Sequence, residues 1–181
     1  QLVDANTGAL LDNDANSGNG TRTRISNMGP ELNPSYGGFS PAVAYNKRNA
    51  RYLVVWYGDD DDSGTVLNEN EIFGQFITAD GTEYGANDFR ISVMGTTGTT
   101  YNAFSPDVAW DNKNNQFMVV WHADDNALAD NEFEIYMRLV DGASGIVSSS
   151  NDVRVSEMGP NGDANYNASS PAVAYDSLSN N

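Results

Sequence analysis

One hexapeptide recurs along the chain and constrains its fold more than any other feature. SPAVAY stands at residues 40–45 and again at 170–175, with SPDVAW at 105–110 between them. The two intervals, 105 − 40 and 170 − 105, are both 65 residues. Other markers repeat in the same order: Tyr36, Tyr101 and Tyr166; Trp56 and Trp121; and the triplets at 24–26, 90–92 and 154–156. Self-similarity of this kind indicates one supersecondary unit copied in tandem.

Each unit is predicted to contain four β-strands. The second strand of the first unit, YLVVW at 52–56, is a continuous β-branched and aromatic run, which is typical of a strand covered on both faces. Asp80-Gly81 and Asp141-Gly142 predict the turn between the third and fourth strands. The predicted strands are 41–45, 52–56, 71–77 and 89–92 in the first unit, and 108–110, 117–121, 134–140 and 153–156 in the second.

The predicted fold is all-β, built from β-propeller blades. A blade is a four-stranded antiparallel sheet between two neighbours, so its inner strands must be apolar on both faces. The units are then the end of a blade at 1–26, blade repeats at 27–92 and 93–156, and the start of a further blade at 157–181. A β-sandwich is the alternative, although a sandwich does not require a fixed period of about 65 residues.

The number of units predicts an incomplete propeller. Propellers close with about 4 to 8 blades, whereas this chain holds two complete units. The first residues, at 1–3, align with 75–77 inside a third strand, and Asn181 stands where a second strand is due. We expect the chain to be a segment of a longer polypeptide, or a subunit whose partner supplies the missing strands.

The order of motifs resembles a known family. SPAVAY, YLVVW, an acidic loop, NEIFGQ and FRIS follow one another as in the tandem blades of secreted prokaryotic β-propellers. The units also resemble, more distantly, the calcium-binding blades of the integrin type. That family places its calcium loop between the first two strands, where this chain has residues 46–49 and 111–114. The resemblance implies an extracellular or cell-surface scaffold and carries no catalytic residue across.

The charge of the chain excludes some partners. The chain has 25 acidic and 9 basic residues, a formal net charge of −16. Nucleic acid is excluded because its phosphates need basic patches. Membrane insertion is not expected, since no apolar run approaches the ~20 residues that a spanning helix needs. With no cysteine in the chain, disulfide bonds cannot stabilise a secreted form.

Acidic residues concentrate between the second and third strands of each unit. Calcium binds about 6 to 8 oxygen ligands, and such a loop offers several carboxylates close together. The sequence therefore predicts calcium sites, with a solvated acidic loop as the alternative. The candidate ligands are Asp59, Asp60, Asp62, Glu69 and Glu71 in the first unit, and Asp124, Asp125, Asp130, Glu132 and Glu134 in the second.

The sequence favours a non-catalytic protein. A glycosidase needs two carboxylates about 5 to 9.5 Å apart, and acidic pairs are abundant, but an active site is unique whereas these loops repeat. His122 is the only histidine, which excludes a multi-histidine metal site. The expected function is a structural, adhesive or protein-interaction scaffold. The alternative is a secreted glycan-binding or glycan-hydrolysing propeller. The recurring tyrosines serve either as packing elements or as a ligand platform.

Overall fold

The structure is a computed structural model. It describes residues 2–3, 6–7, 10–11, 24–30, 32–60, 67–95, 101–125, 130–148 and 151–179. These residues contain strands and turns and no helix, which confirms the all-β prediction. The strands are β1 Leu2–Val3, β2 Leu10–Leu11, β3 Gly37–Asn46, β4 Arg51–Asp59, β5 Glu71–Thr78, β6 Glu83–Arg90, β7 Ala103–Asp111, β8 Gln116–Ala123, β9 Glu134–Asp141 and β10 Val153–Arg154.

Eight of these strands form two antiparallel sheets of the same design. The first sheet runs β3-β4-β5-β6 and the second runs β7-β8-β9-β10, so each strand pairs with the next along the chain. Short turns are sufficient for this order because neighbouring strands are antiparallel. β1 and β2 form a separate two-stranded pair. Each predicted unit of four strands is therefore one sheet.

The recurring Ser-Pro pair forms a β-bulge in the first strand of each sheet. The pairing register shifts between Phe39 and Ala42 in β3, and between Phe104 and Asp107 in β7. Ser40 and Ser105, inside these shifts, have left-handed φ angles of 48° and 49°. Proline has no N–H to donate, so a bulge is a place where a strand tolerates it. The repeated Ser-Pro sequence therefore corresponds to a repeated backbone geometry.

The fourth strand of each sheet differs from the prediction in its bounds, and β10 covers Val153–Arg154 where 153–156 was predicted. β6 begins at Glu83, before the predicted start at 89, and ends at Arg90. The register slips opposite Gln75, whose side chain accepts from the Asp88 amide at 2.9 Å and donates to the Tyr84 carbonyl at 3.2 Å. In the last unit, residues 171–175 are not paired as a strand within the described part, although Ser170 has the same φ of 50°.

The two sheets share one hydrophobic core. Phe76 of the first sheet and Phe117 of the second have ring centroids 5.8 Å apart. At one end of the junction, buried Asn46 donates to Asn115 Oδ1 at 2.9 Å and to the Gly142 carbonyl at 3.1 Å. The fully buried aromatic and aliphatic members include Leu53, Val55, Ile72, Ile91, Phe117, Val119, Trp121 and Val140. Neither sheet buries its apolar face alone.

Candidate functional site

The acidic residue at the start of β5 is fully enclosed by hydrogen-bond donors. The Glu71 carboxylate is paired with the Arg90 guanidinium and accepts hydrogen bonds from the Ser92 hydroxyl and, at 2.8 Å, the Met94 amide. The Ser92 hydroxyl in turn accepts from the Ile72 amide at 2.7 Å. We call this arrangement of a glutamate, an arginine, a serine and a methionine amide the glutamate clamp. It ties the start of β5 to the chain that follows β6.

The second sheet repeats the glutamate clamp with equivalent residues. Glu134 is 0 % exposed and accepts from the Ser156 hydroxyl and from the Met158 amide, the latter at 2.6 Å. Arg154 lies 3.6 Å from Glu134, and the Ile135 amide donates to Ser156 at 2.7 Å. Two of the predicted calcium ligands, Glu71 and Glu134, are thus positioned by donors of their own sheet.

Burial has the largest effect on the pKa of Glu71 in the first clamp. Desolvation raises the pKa of Glu71 to about 7, although the charge of Arg90 and the Ser92 hydrogen bond act in the opposite direction. The carboxyl group consequently changes charge near neutral pH. Because Glu71 is 0 % exposed, this titration affects the stability of the fold and is not available to a molecule in solution.

Asp59 is the last residue of β4, and Asp124 occupies the equivalent position directly after β8. Each is buried, and each accepts from a backbone amide across its acidic loop, that of Asn68 or, at 2.6 Å, that of Asn131. The second oxygen, Oδ1, of both carboxylates is buried without a hydrogen-bond partner among the described residues. Desolvation raises the pKa of both groups. These two oxygens occupy equivalent positions in the two sheets.

The neighbouring aspartates contact other parts of the protein. Asp60 accepts from the Gly29 amide at 3.3 Å, and Asp125 accepts from the Tyr136 hydroxyl at 2.7 Å. Desolvation and the Asp125 contact both raise the pKa of Tyr136, so its hydroxyl keeps its proton. Both aspartates therefore link their loop to another segment of the chain.

The remaining predicted ligands are dispersed. Glu69 lies 3.5 Å from the Arg90 guanidinium, and Glu132 accepts from the Gly162 amide at 2.6 Å. Asp130 is at an exposed turn, and Asp62 lies outside the described residues. Within the described ranges no group of three or more His, Cys, Asp or Glu side chains is arranged to hold a metal ion. Calcium binding stays a prediction.

A second recurring carboxylate, which the sequence analysis missed, connects the first residue of each unit to the fourth strand of that unit's sheet or the residue just before it. Asp88 accepts from the Asn27 amide, and Asp152 accepts from the Val93 amide at 3.0 Å. Asp152 also lies 2.7 Å from Arg138, with both side chains buried. Burial raises the pKa of Asp88 to about 6. The recurrence of NDFR at 87–90 as NDVR at 151–154 was the signal that could have identified this junction.

The recurring tyrosines pack on recurring glycines. Each glycine has a left-handed φ between 60° and 76°, and a Cβ atom there would lie within 2.5 Å of the tyrosine ring. Only glycine fits both conditions. This contact supports packing as the role of these tyrosines. The pairs are Gly29 with Tyr36, Gly95 with Tyr101, and Gly159 with Tyr166.

His122 belongs to an aromatic cluster. Its ring centroid lies 5.7 Å from that of Phe104 and 5.8 Å from that of Phe133, and its Nδ1 accepts from the Ser170 amide at 3.4 Å. Desolvation lowers the pKa of His122, so the ring is neutral at neutral pH. In the part of the chain that is described, no carboxylate hydrogen-bonds to this ring, as the base of a hydrolytic triad would require.

Comparisons with known proteins show a likeness to solved structures and to no family model. No family model matches the chain, and no curated protein matches it. Among solved structures, the Hadza microbial sialidase Hz136 is similar with a TM-score of 0.47 and 12 % sequence identity, over 65 % of this chain and 25 % of the sialidase. The chain therefore spans about a quarter of that protein, and at this level the likeness says nothing about activity. No helix in the described residues is long and apolar enough to cross a membrane.

Proposed function

We propose that the chain is a partial β-propeller that acts as a non-catalytic extracellular scaffold, structural, adhesive or protein-binding, within a longer chain or a multi-subunit assembly. The observation that carries the proposal is the recurrence of the glutamate clamp in both sheets. A catalytic carboxylate must be unique and open to its substrate, whereas Glu71 and Glu134 are equivalent and fully buried. Their chemistry is that of fold stabilisation.

The outer face of the first sheet supports the assembly part of this proposal. Val43 in β3 and Val108 in β7 occupy equivalent positions of the repeated hexapeptide. Val108 is 6 % exposed because the first sheet packs against β7, whereas Val43 is 60 % exposed. Phe39 and Tyr45 are exposed on the same strand. A further sheet of the same kind would cover this face as the first sheet covers β7.

Calcium binding at the acidic loops is part of the proposal. Its support is the buried Oδ1 atoms of Asp59 and Asp124, which lack hydrogen-bond partners among the described residues. A calcium ion would neutralise carboxylates whose desolvation is otherwise unfavourable. We expect EDTA to lower the midpoint of thermal unfolding, calcium to restore it, and the double variant Asp59→Asn/Asp124→Asn to lose this response. An unchanged midpoint after chelation and calcium addition would count against the sites.

An assay for turnover distinguishes the scaffold from the glycan-hydrolysing alternative. The chain is incubated with a panel of fluorogenic glycosides beside heat-unfolded chain and an active glycosidase. The scaffold predicts that release of the fluorophore does not exceed that of the unfolded control. Release that scales with protein concentration and is abolished by Asp60→Asn or Asp125→Asn would overturn the proposal.

A further inference from the structure

Two equivalent aspartates differ in how the charge of their carboxyl group is compensated. Asp88 accepts a hydrogen bond from the Asn27 amide, and Asp152 accepts one from the Val93 amide at 3.0 Å. Asp152 also lies 2.7 Å from the Arg138 guanidinium, and both of these side chains are buried. The ion pair compensates the charge of Asp152 inside the protein.

The first sheet has a neutral residue in the place of this arginine. Gln75 of β5 pairs with Val54, and Arg138 of β9 pairs with Val119 at the same position of the second sheet. The position that supplies a guanidinium to Asp152 therefore supplies an uncharged amide to the surroundings of Asp88. This is a difference between two units that are otherwise built alike.

The carboxyl group of Asp88 is enclosed at the bulge of β6. The residue is 6 % exposed, and its Oδ1 atom is buried without a hydrogen-bond partner among the described residues. Its backbone amide donates to Gln75 Oε1 at 2.9 Å, and its φ of 44° is left-handed. A buried carboxylate with an unpaired oxygen is unfavourable when it is ionised, so this site favours the protonated form.

The groups that face Asp88 from the surrounding elements act in both directions. Desolvation has the largest effect and raises the pKa of Asp88 to about 6, against the hydrogen bond from the Asn27 amide. The charges of Glu83, on the same strand, and of Asp60, which follows β4, raise this pKa further, whereas the charge of Arg24 lowers it. Burial consequently outweighs the favourable contacts of the ionised group.

Residues 24–30 are attached to the first sheet through this carboxyl group. The Asn27 amide donates to Asp88, and the Gly29 amide donates to Asp60 at 3.3 Å. Between these two amides, the Met28 sulfur accepts from Trp56 Nε1 at 3.3 Å. Both amide contacts end on carboxyl groups, so the charge of those groups affects how firmly the segment is held.

We propose that Asp88 makes the attachment of residues 24–30 to the first sheet sensitive to pH. The attachment is tight when the carboxyl group is protonated, because its carbonyl oxygen still accepts from the Asn27 amide and no charge is buried. It loosens when the group is ionised, because water then stabilises the carboxylate more than the buried site does. This conformational device goes beyond the proposed scaffold and does not depend on it.

The direction of the effect follows from the raised pKa. The contribution of Asp88 to the attachment is complete below its ordinary value of 3.8 and is lost as pH rises through about 6. Hydrogen exchange of the full chain, resolved by NMR, measures the attachment at the Asn27 amide. Its protection factor, corrected for the intrinsic exchange rate at each pH, should fall by about tenfold or more from pH 5 to pH 8.

Three variants assign this response to Asp88. Asp88→Asn keeps an oxygen acceptor for the Asn27 amide and cannot titrate, so most of the difference between the two pH values should disappear. Gln75→Arg introduces the residue of the second sheet, which stabilises the ionised carboxylate and should prevent the loss of protection at pH 8. Glu157→Gln removes an exposed carboxylate and should keep the full response. If Gln75→Arg fails to fold, Asp88→Asn remains as the test.

Either of two results would reject the inference. The first is a protection factor of the Asn27 amide that is equal at pH 5 and pH 8, or higher at pH 8. The second is a response in Asp88→Asn as large as that in Glu157→Gln. The scaffold proposal is judged separately, by glycoside turnover and by the stability of the Glu71 and Glu134 variants.

Discussion

At the scale of single residues, the buried glutamates of the two clamps are surrounded by hydrogen-bond donors. A buried carboxylate is unfavourable unless donors surround it, and Glu71 and Glu134 each have a hydroxyl, a backbone amide and an arginine. Desolvation of Glu71 nevertheless outweighs its partners, which raises its pKa to about 7. The stability of the protein should therefore depend on pH well above the range in which exposed carboxyl groups titrate.

The expected pH dependence follows from the two largest shifts among the carboxyl groups. The folded pKa is about 7 for Glu71 and about 6 for Asp88, against ordinary values of 4.5 and 3.8. Stability from these groups is complete below the ordinary values and is lost as pH rises through 6 and 7. Asp111 and Asp141, whose pKa values are lowered, lose their contribution only as pH falls below about 3.8.

We therefore expect a higher midpoint of thermal unfolding at pH 5 than at pH 8, measured by circular dichroism at constant ionic strength. Glu71→Gln cannot titrate and should reduce the difference between the two pH values. Repulsion within a chain of net charge −16 acts in the same direction and remains in the variant. A midpoint that rises from pH 5 to pH 8 would contradict the assigned shifts.

The sequence identified the recurring acidic residues of the loops but not what they contact, and it did not identify Asp88 or Asp152. Their recurrence was visible, and proximity in the chain suggested a shared cation. The actual partners of Glu71 are Arg90, Ser92 and Met94, about twenty residues further along, and they meet it only because β6 folds back beside β5. Spacing within one loop cannot reveal donors that arrive from the end of another strand.

At the scale of elements, inner strands were predictable and outer strands were not. β4 and β8 are continuous apolar runs, and this pattern is typical of strands that are covered on both faces. β6 is mostly exposed, and its bulge depends on the Gln75 side chain taking the place of a backbone partner. A side chain that replaces a backbone hydrogen-bond partner leaves no periodic pattern in the sequence. The Ser-Pro bulges, in contrast, repeat as letters because the geometry requires a residue with left-handed φ before proline.

The glycines that contact the recurring tyrosines should be important for stability. In Gly95→Ala the new Cβ atom would lie 2.4 Å from Tyr101 Cδ2 at a φ of 61°, so both the ring contact and the backbone are strained. Gly85→Ala is the matched control, because φ is 86° there but no atom lies within 4 Å. We expect Gly85→Ala to cost about 1–2 kcal/mol in urea unfolding and Gly95→Ala clearly more. Equal losses would show that the tyrosine contact contributes nothing.

At the scale of the whole molecule, two sheets of one design are joined by contacts that repeat from unit to unit. The core is shared, since Phe76 and Phe117 pack across the junction and Asn46 donates to Asn115, while the Asp88 and Asp152 contacts recur within each unit. In a tandem array of this kind, each unit depends on its neighbour for burial. The period in the sequence predicted two sheets of the same strand order, whereas the polar contacts between the sheets required the structure.

The central claim is that the repeated buried glutamates stabilise each unit in the same way, and the free energy of unfolding of three variants tests it most directly. Glu71→Ala and Glu134→Ala each remove a buried carboxylate that accepts from a hydroxyl and an amide and that lies beside an arginine, so each should lose about 3–5 kcal/mol in urea unfolding. Glu157→Ala removes an exposed carboxylate and should change stability by less than about 0.5 kcal/mol. Clamp variants as stable as Glu157→Ala would contradict the account.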